Sequence, residues 1–163
     1  MMGGGGMMGG GAMMGDGATR MGAPASRSAA IPLSSGAKTA LLRALDEEYR
    51  AEALYASIGS SKIGARPPFL QVTRSDRRHA WILEALALAH GVDLPQNPWT
   101  TAKQPETANV AAGCRAGVES EKKTIALYDE LLKTDVPADL RRALEHLRAA
   151  SAERYLPTFE ACH

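Results

Sequence analysis

No apolar run in the 163-residue chain approaches the eighteen or more residues of a membrane span, and no cationic segment followed by an apolar stretch opens it. Neither a membrane span nor a secretory leader is therefore expected, and the cytoplasm is the default compartment. Nineteen basic residues are balanced by eighteen acidic ones, and no Lys/Arg block is long enough for a nucleic-acid or anionic-membrane footprint. No glycine-rich loop precedes a helix to cradle phosphate, and no Ser/His/Asp arrangement has a spacing that supports nucleophilic catalysis. No segment alternates apolar and polar residues long enough for a strand. Only two cysteines occur, Cys114 and Cys162, and they lack the Cys-x-x-Cys context of a redox motif.

What is present falls into two textures. Residues 1–36 are rich in Gly, Met, Ala and Ser, cannot bury enough apolar surface to offset the entropy of ordering, and are expected to be a disordered tail. All seven methionines sit there, in pairs such as Met1-Met2, Met7-Met8 and Met13-Met14. Thioethers bind Cu(I), but without His or Cys they make a poor cage, so a repetitive linker is the plainer account. Residues 37–163 are rich in Ala, Leu, Glu and Arg and make a single domain of roughly 125 residues, a common domain size.

Apolar spacing divides this domain into four helices. The first, over 38–59, has Leu41, Leu45, Glu48, Glu52 and Tyr55 along its seam. The second opens at Pro67-Pro68 and closes at Gly91, with Val72, Asp76, His79, Leu83, Leu86 and His90. The third, over 106–133, presents Cys114, Val118, Glu121, Ile125, Tyr128 and Leu132. The fourth, after Pro137, presents Leu140, Leu144, Leu147, Ser151, Tyr155 and Cys162. Short links at 60–66 and 134–137 imply antiparallel hairpins. The stretch 91–105, extended at roughly 3.3 Å per residue, is long enough to run the length of a helix and allows a crossover. The expectation is an all-α four-helix bundle of two hairpins.

Acids recur on the core-facing stripes. One pattern, Glu-x6-Tyr, occurs as Glu48…Tyr55 and as Glu121…Tyr128, with Asp76 and His79 between the copies. Buried charge is costly unless it is paired or bound to a metal, so Glu48, Asp76, His79 and Glu121 form a candidate ligand set. Asp76 and His79, three residues apart, share one helix face and can reach one ion. Imidazole with carboxylates suits Fe, Mn or Zn. The alternative is a metal-free polar core in which these groups pair with one another and with Arg74 or Arg78. Glu52, one turn from Glu48, is a spare ligand or the partner of an arginine. Tyr55 and Tyr128 either donate hydrogen bonds to ligands, carry an electron, or simply pack with a polar tip. His90 and His146 are read as capping or solvated residues.

The segments Glu-Glu-Tyr-Arg-Ala-Glu-Ala-Leu-Tyr (47–55), Gly-Val-Glu-Ser-Glu (117–121), Ile-Ala-Leu-Tyr-Asp (125–129) and Glu-Arg-Tyr-Leu-Pro-Thr-Phe (153–159) carry a resemblance. Over residues 37–162 the chain resembles the ferritin-like superfamily, and within it the ferritin-like domain of unknown function 2202 family. The resemblance implies a bundle whose first three helices supply Glu48, Asp76 with His79, and Glu121 to one or two iron ions, with ferroxidase-type oxidoreductase activity as the enzymatic possibility. Two departures stand out. Asp76 replaces a glutamate, and helix four has Ala152 and Tyr155 where a carboxylate and a histidine would complete a second site. One ion is therefore expected rather than two. The rival function is a non-catalytic binding or structural module. A homodimer stays open.

Cys114 lies seven residues before Glu121 and Cys162 seven after Tyr155, which puts each thiol two turns away from those residues, in the same direction on antiparallel helices. A bridge between them and a pair of buried free thiols are both consistent with this spacing. A bridge would point to an oxidising compartment, and so to export.

Overall fold

The computed structural model describes residues 31–61, 67–100, 104 and 107–162. The tail expectation for 1–30, the start expected for the third helix at Glu106, and His163 lie outside them. Among the described residues the chain is all-helical and has no strand. The elements are α1 (Ser35–Ser60), α2 (Phe69–Ala89), α3 (Val110–Leu131), α4 (Ala138–Ala150) and α5 (Leu156–Glu160), with a π turn, Ser151–Tyr155, joining the last two.

Local chemistry sets the helix ends. Ser34 caps α1 by accepting the Ala37 N–H at 3.1 Å, so the helix begins two residues before the boundary drawn from composition. Asn109 caps α3 in the same way, accepting from Ala112 at 2.9 Å. At the end of α2, Gly91 adopts φ 67°, which lets the Val92 N–H turn back to the Ala87 carbonyl at 2.8 Å. Pro157 can donate no N–H to the Glu153 carbonyl and its ring crowds that carbonyl, and the widened π turn just before it accommodates both effects.

The apolar side chains gather into two clusters. The first joins Leu41 and Leu45 of α1, Leu83 of α2, Tyr128 of α3 and Leu144 of α4, and the second joins Tyr55, Val72, Cys114, Tyr155 and Phe159. These memberships fix direction. The C-terminal halves of α2 and α3 both belong to the first cluster, so these helices run in the same direction, opposite to α1 and α4. The described part of the connection from α2 to α3 packs back on the helices. Its Trp99 packs on the first cluster and donates Nε1–H to Asp46 at 2.8 Å. Helix α1 packs on α2 and α3, and α4 on α3 and α2, an arrangement compatible with a four-helix bundle.

The second cluster is fastened at its far end. Cys114 and Cys162 form a disulfide with a Cα–Cα distance of 5.6 Å. It ties α3 to the second residue beyond α5, and cross-links of this span contribute about 2–4 kcal/mol. Phe159 stacks on Tyr55 with centroids 5.0 Å apart and fills the space above Gly117. A Cβ built at Gly117 would lie 2.6 Å from the Phe159 ring. Substituting Gly117→Ala is expected to destabilise the fold by about 1–3 kcal/mol through overpacking, read as a lower midpoint in chemical denaturation with an unchanged slope. A midpoint equal to wild type would contradict this packing.

Candidate metal centre

Between the two apolar clusters lies a buried polar layer: Glu48, Asp76, His79, Ser120, Glu121, Thr124 and Ser151. Four helical segments contribute to it. Glu48, Asp76 and Glu121 are 2 to 3% exposed and His79 is 6% exposed, so solvent does little to stabilise their charges.

Glu48, Asp76 and His79 converge. Each offers one ligand atom, and those atoms lie within 4.8 Å of one another. His79 Nδ1 is 3.2 Å from Glu48 Oε2 and 3.9 Å from Asp76 Oδ1. Glu121 stands apart from this tight group. Its carboxylate accepts from the Tyr55 hydroxyl at 2.5 Å and from Ser151. Glu48 in turn accepts from the Tyr128 hydroxyl. The two Glu-x6-Tyr copies are thus cross-wired, the tyrosine of each holding the glutamate of the other. Beyond their packing role, both tyrosines fix the aim of a carboxylate.

The arginines do not close the core. Arg78 donates to Ser75 and Arg77 pairs with Glu52 at 2.7 Å, while Arg74 is exposed. Glu52 is therefore held by an arginine at the edge of the centre. Glu47, which sequence spacing does not single out, pairs with Arg50 at 2.5 Å and accepts from Thr124, and Arg50 also donates to Ser120 at 3.0 Å. This clasp joins α1 to α3 and neutralises Glu47. Asp76 has no such relief, since its Oδ2 is buried without a hydrogen-bond partner.

On the last helical segment, the π turn aims Ser151 at Glu121 and brings the Tyr155 ring to 6.0 Å from His79. The Tyr155 hydroxyl pairs with Ser75. Ala152 is only half-buried and contributes no ligand. The signal for this turn was Pro157, which sequence periodicity alone passes over. His146 is exposed, yet its ring meets His79 edge-on with centroids 6.2 Å apart. His90, beyond the end of α2, lies 2.7 Å from the Ile31 carbonyl and 2.9 Å from Asp139, remote from the centre.

The electrostatics follow from this burial. Desolvation holds the Asp76 carboxyl well above the usual range, and repulsion from Glu48 and Glu121 adds to it. Glu121 is pushed up to about 7, first by burial, with its hydrogen bonds from Tyr55 and Ser151 opposing and Glu48 reinforcing. Burial first, and then the neighbouring carboxylates, keep the Tyr55 and Tyr128 phenols protonated far above their ordinary value. The donor set fits a divalent transition metal. It offers carboxylate oxygen, imidazole nitrogen and an unpartnered buried oxygen in an acid-rich pocket with one imidazole.

No protein-family model matches the chain, and a search of the curated proteins finds no match either.

A carboxyl whose folded-state pKa is raised stabilises the fold fully below its unfolded value and loses that contribution as pH climbs through the folded one. For Glu121 that window runs from 4.5 to about 7, a shift worth roughly 3 kcal/mol before coupling to its neighbours. The metal-free protein is expected to lose thermal stability from about pH 5 to pH 8, and Asp76→Asn or Glu121→Gln to flatten the decline and raise stability at the alkaline end. Flat wild-type melting temperatures over that range would contradict the assignment.

Proposed function

We propose that the chain is a ferritin-like four-helix bundle that binds one transition-metal ion, iron foremost with Mn and Zn as alternatives, through Glu48, Asp76 and His79. The single observation that carries this reading is the buried convergence of these three residues, with one oxygen of Asp76 left without a hydrogen-bond partner. Glu121 stands behind them, poised by Tyr55 and Ser151, and completes the coordination or steers it. The residues on α2 and α3 and the parallel course of these helices support the ferritin-like assignment. When bound, iron would supply a one-electron redox couple, while the chain's part is to hold the ion, exclude water and fix the carboxylates through tyrosine hydrogen bonds.

One ion rather than two follows from the last helical segment. Ala152 offers no oxygen, Tyr155 is turned to Ser75, and Ser151 serves Glu121. A two-metal ferroxidase centre asks for a carboxylate and an imidazole at these places. The Cys114–Cys162 bridge favours an oxidising compartment for the working protein.

Anaerobically purified protein is expected to carry close to one transition-metal ion per chain by elemental analysis. Restoring the ion to stripped protein at about a hundredfold excess over its dissociation constant should stabilise the fold by about 2.7 kcal/mol. Asp76→Asn and His79→Ala should abolish that gain, and Glu121→Ala should weaken it. A wild-type protein with no stoichiometric metal and no metal-dependent stabilisation would leave a metal-free polar core as the answer.

A further inference from the structure

Three of the four seams between neighbouring helices are cross-linked near the polar layer. The α1–α2 seam carries Arg77 with Glu52 and Tyr49 with Glu84, at 2.7 and 2.6 Å. The α1–α3 seam carries the Glu47–Arg50 clasp with Ser120 and Thr124. Across α3–α4, Arg148 pairs with Asp129 at 2.5 Å. The α2–α4 seam differs. Ser75 with Tyr155 marks one side of the centre and His90 with Asp139 the far end, and among the described residues no ion pair or hydrogen bond joins α2 to α4 between them.

On this seam stands His146. It is exposed, and its ring meets the ring of His79, the least buried of the four residues Glu48, Asp76, His79 and Glu121. Tyr55 and Tyr128, which donate to the carboxylates, are fully buried, and Tyr155, on the other side of His79, is 8% exposed. We propose that His146 is the entry residue for the metal ion, an imidazole at the surface that captures the ion from solvent and hands it past His79 to the carboxylates. This inference rests on the metal-centre reading above.

The chemistry suits transit. A neutral imidazole is a good ligand for Fe(II), Co(II) or Zn(II), and alone it releases the ion readily. Each ligating nitrogen lies about 2 Å from a bound metal, so two rings with centroids 6.2 Å apart are within reach of one ion. An exposed side chain on a helix surface also reorients on the picosecond to nanosecond scale, fast enough not to limit the transfer. Because His146 is not needed in the final coordination, detailed balance requires its loss to slow entry and exit alike.

The test is stopped-flow uptake of Co(II) by the full-length, metal-free protein, read by the cobalt absorption bands, with release measured by chelator competition. His146→Ala is expected to slow both uptake and release on the order of tenfold while leaving the equilibrium affinity within about twofold of wild type. Glu145→Gln, which alters charge at the exposed neighbour, should change neither rate. Uptake by His146→Ala at the wild-type rate would overturn the proposal, as would equal slowing in Glu145→Gln, which would indicate general charge steering. A loss of affinity matching Asp76→Asn would make His146 a ligand rather than an entry residue, and so also overturn it. No uptake by the wild-type protein would overturn this inference together with the metal centre itself.

Discussion

The structure is organised around three buried carboxylates that share one imidazole. Glu48, Asp76 and Glu121 lie in one layer with His79, and the nearby arginines are committed to Glu47 and Glu52. Charges so placed must be neutralised by protons or by a cation, because removing them from water costs several kcal/mol each. The protein reduces that cost only in part. Tyr128 and His79 serve Glu48, Tyr55 and Ser151 serve Glu121, and Asp76 keeps an oxygen without a partner. A core selected for stability alone would fill the layer with apolar groups, which often makes a fold no less stable. The incompletely satisfied layer is therefore the strongest physical sign of a ligand.

The same layer explains the division of the apolar core. Leucines dominate one cluster, while the other is built from Tyr55, Phe69 and Phe159 and closed by the disulfide. The stack of Phe159 on Tyr55 couples the two, since Tyr55 is at once a packing residue and the donor to Glu121. The glycine at 117 admits the Phe159 ring against α3. The end of the chain is thereby pinned where its π turn sets Ser151 and Tyr155 beside the centre. Second-layer contacts of this sort determine how ligands are aimed and how tightly an ion is held.

Much of this was legible in the sequence, for reasons that can be traced to particular residues. The helical stripes put Glu48, Asp76 and His79 on core-facing positions because a 3.6-residue period leaves little freedom once Leu41, Leu45 and Leu83 must face inward. The spacing of Cys114 and Cys162 was compatible with the bridge that forms, though it did not choose between bridge and free thiols. The cross-wiring of Tyr55 to Glu121 and Tyr128 to Glu48 was hidden, since periodicity gives a residue's face but not its partner. The roles of Glu47 and Thr124 were hidden likewise, because their pairing spans α1 and α3. The π turn escaped a reading that assumed an unbroken fourth helix, although Pro157 was its signal. His146 lay off the apolar stripe, so only the packing of α2 against α4 brings it to His79.

In the metal-free protein the layer holds protons that an arriving cation must displace. Calorimetric titration of the stripped protein with Fe(II) under anaerobic conditions near pH 6, repeated in buffers of different ionisation enthalpy, counts them directly. One ion should bind per chain, with the release of one or more protons, because Asp76 and Glu121 are protonated well above the usual carboxylate range. Binding that releases no proton, or no binding at all, would contradict the claim that this buried acid layer is built to take a cation.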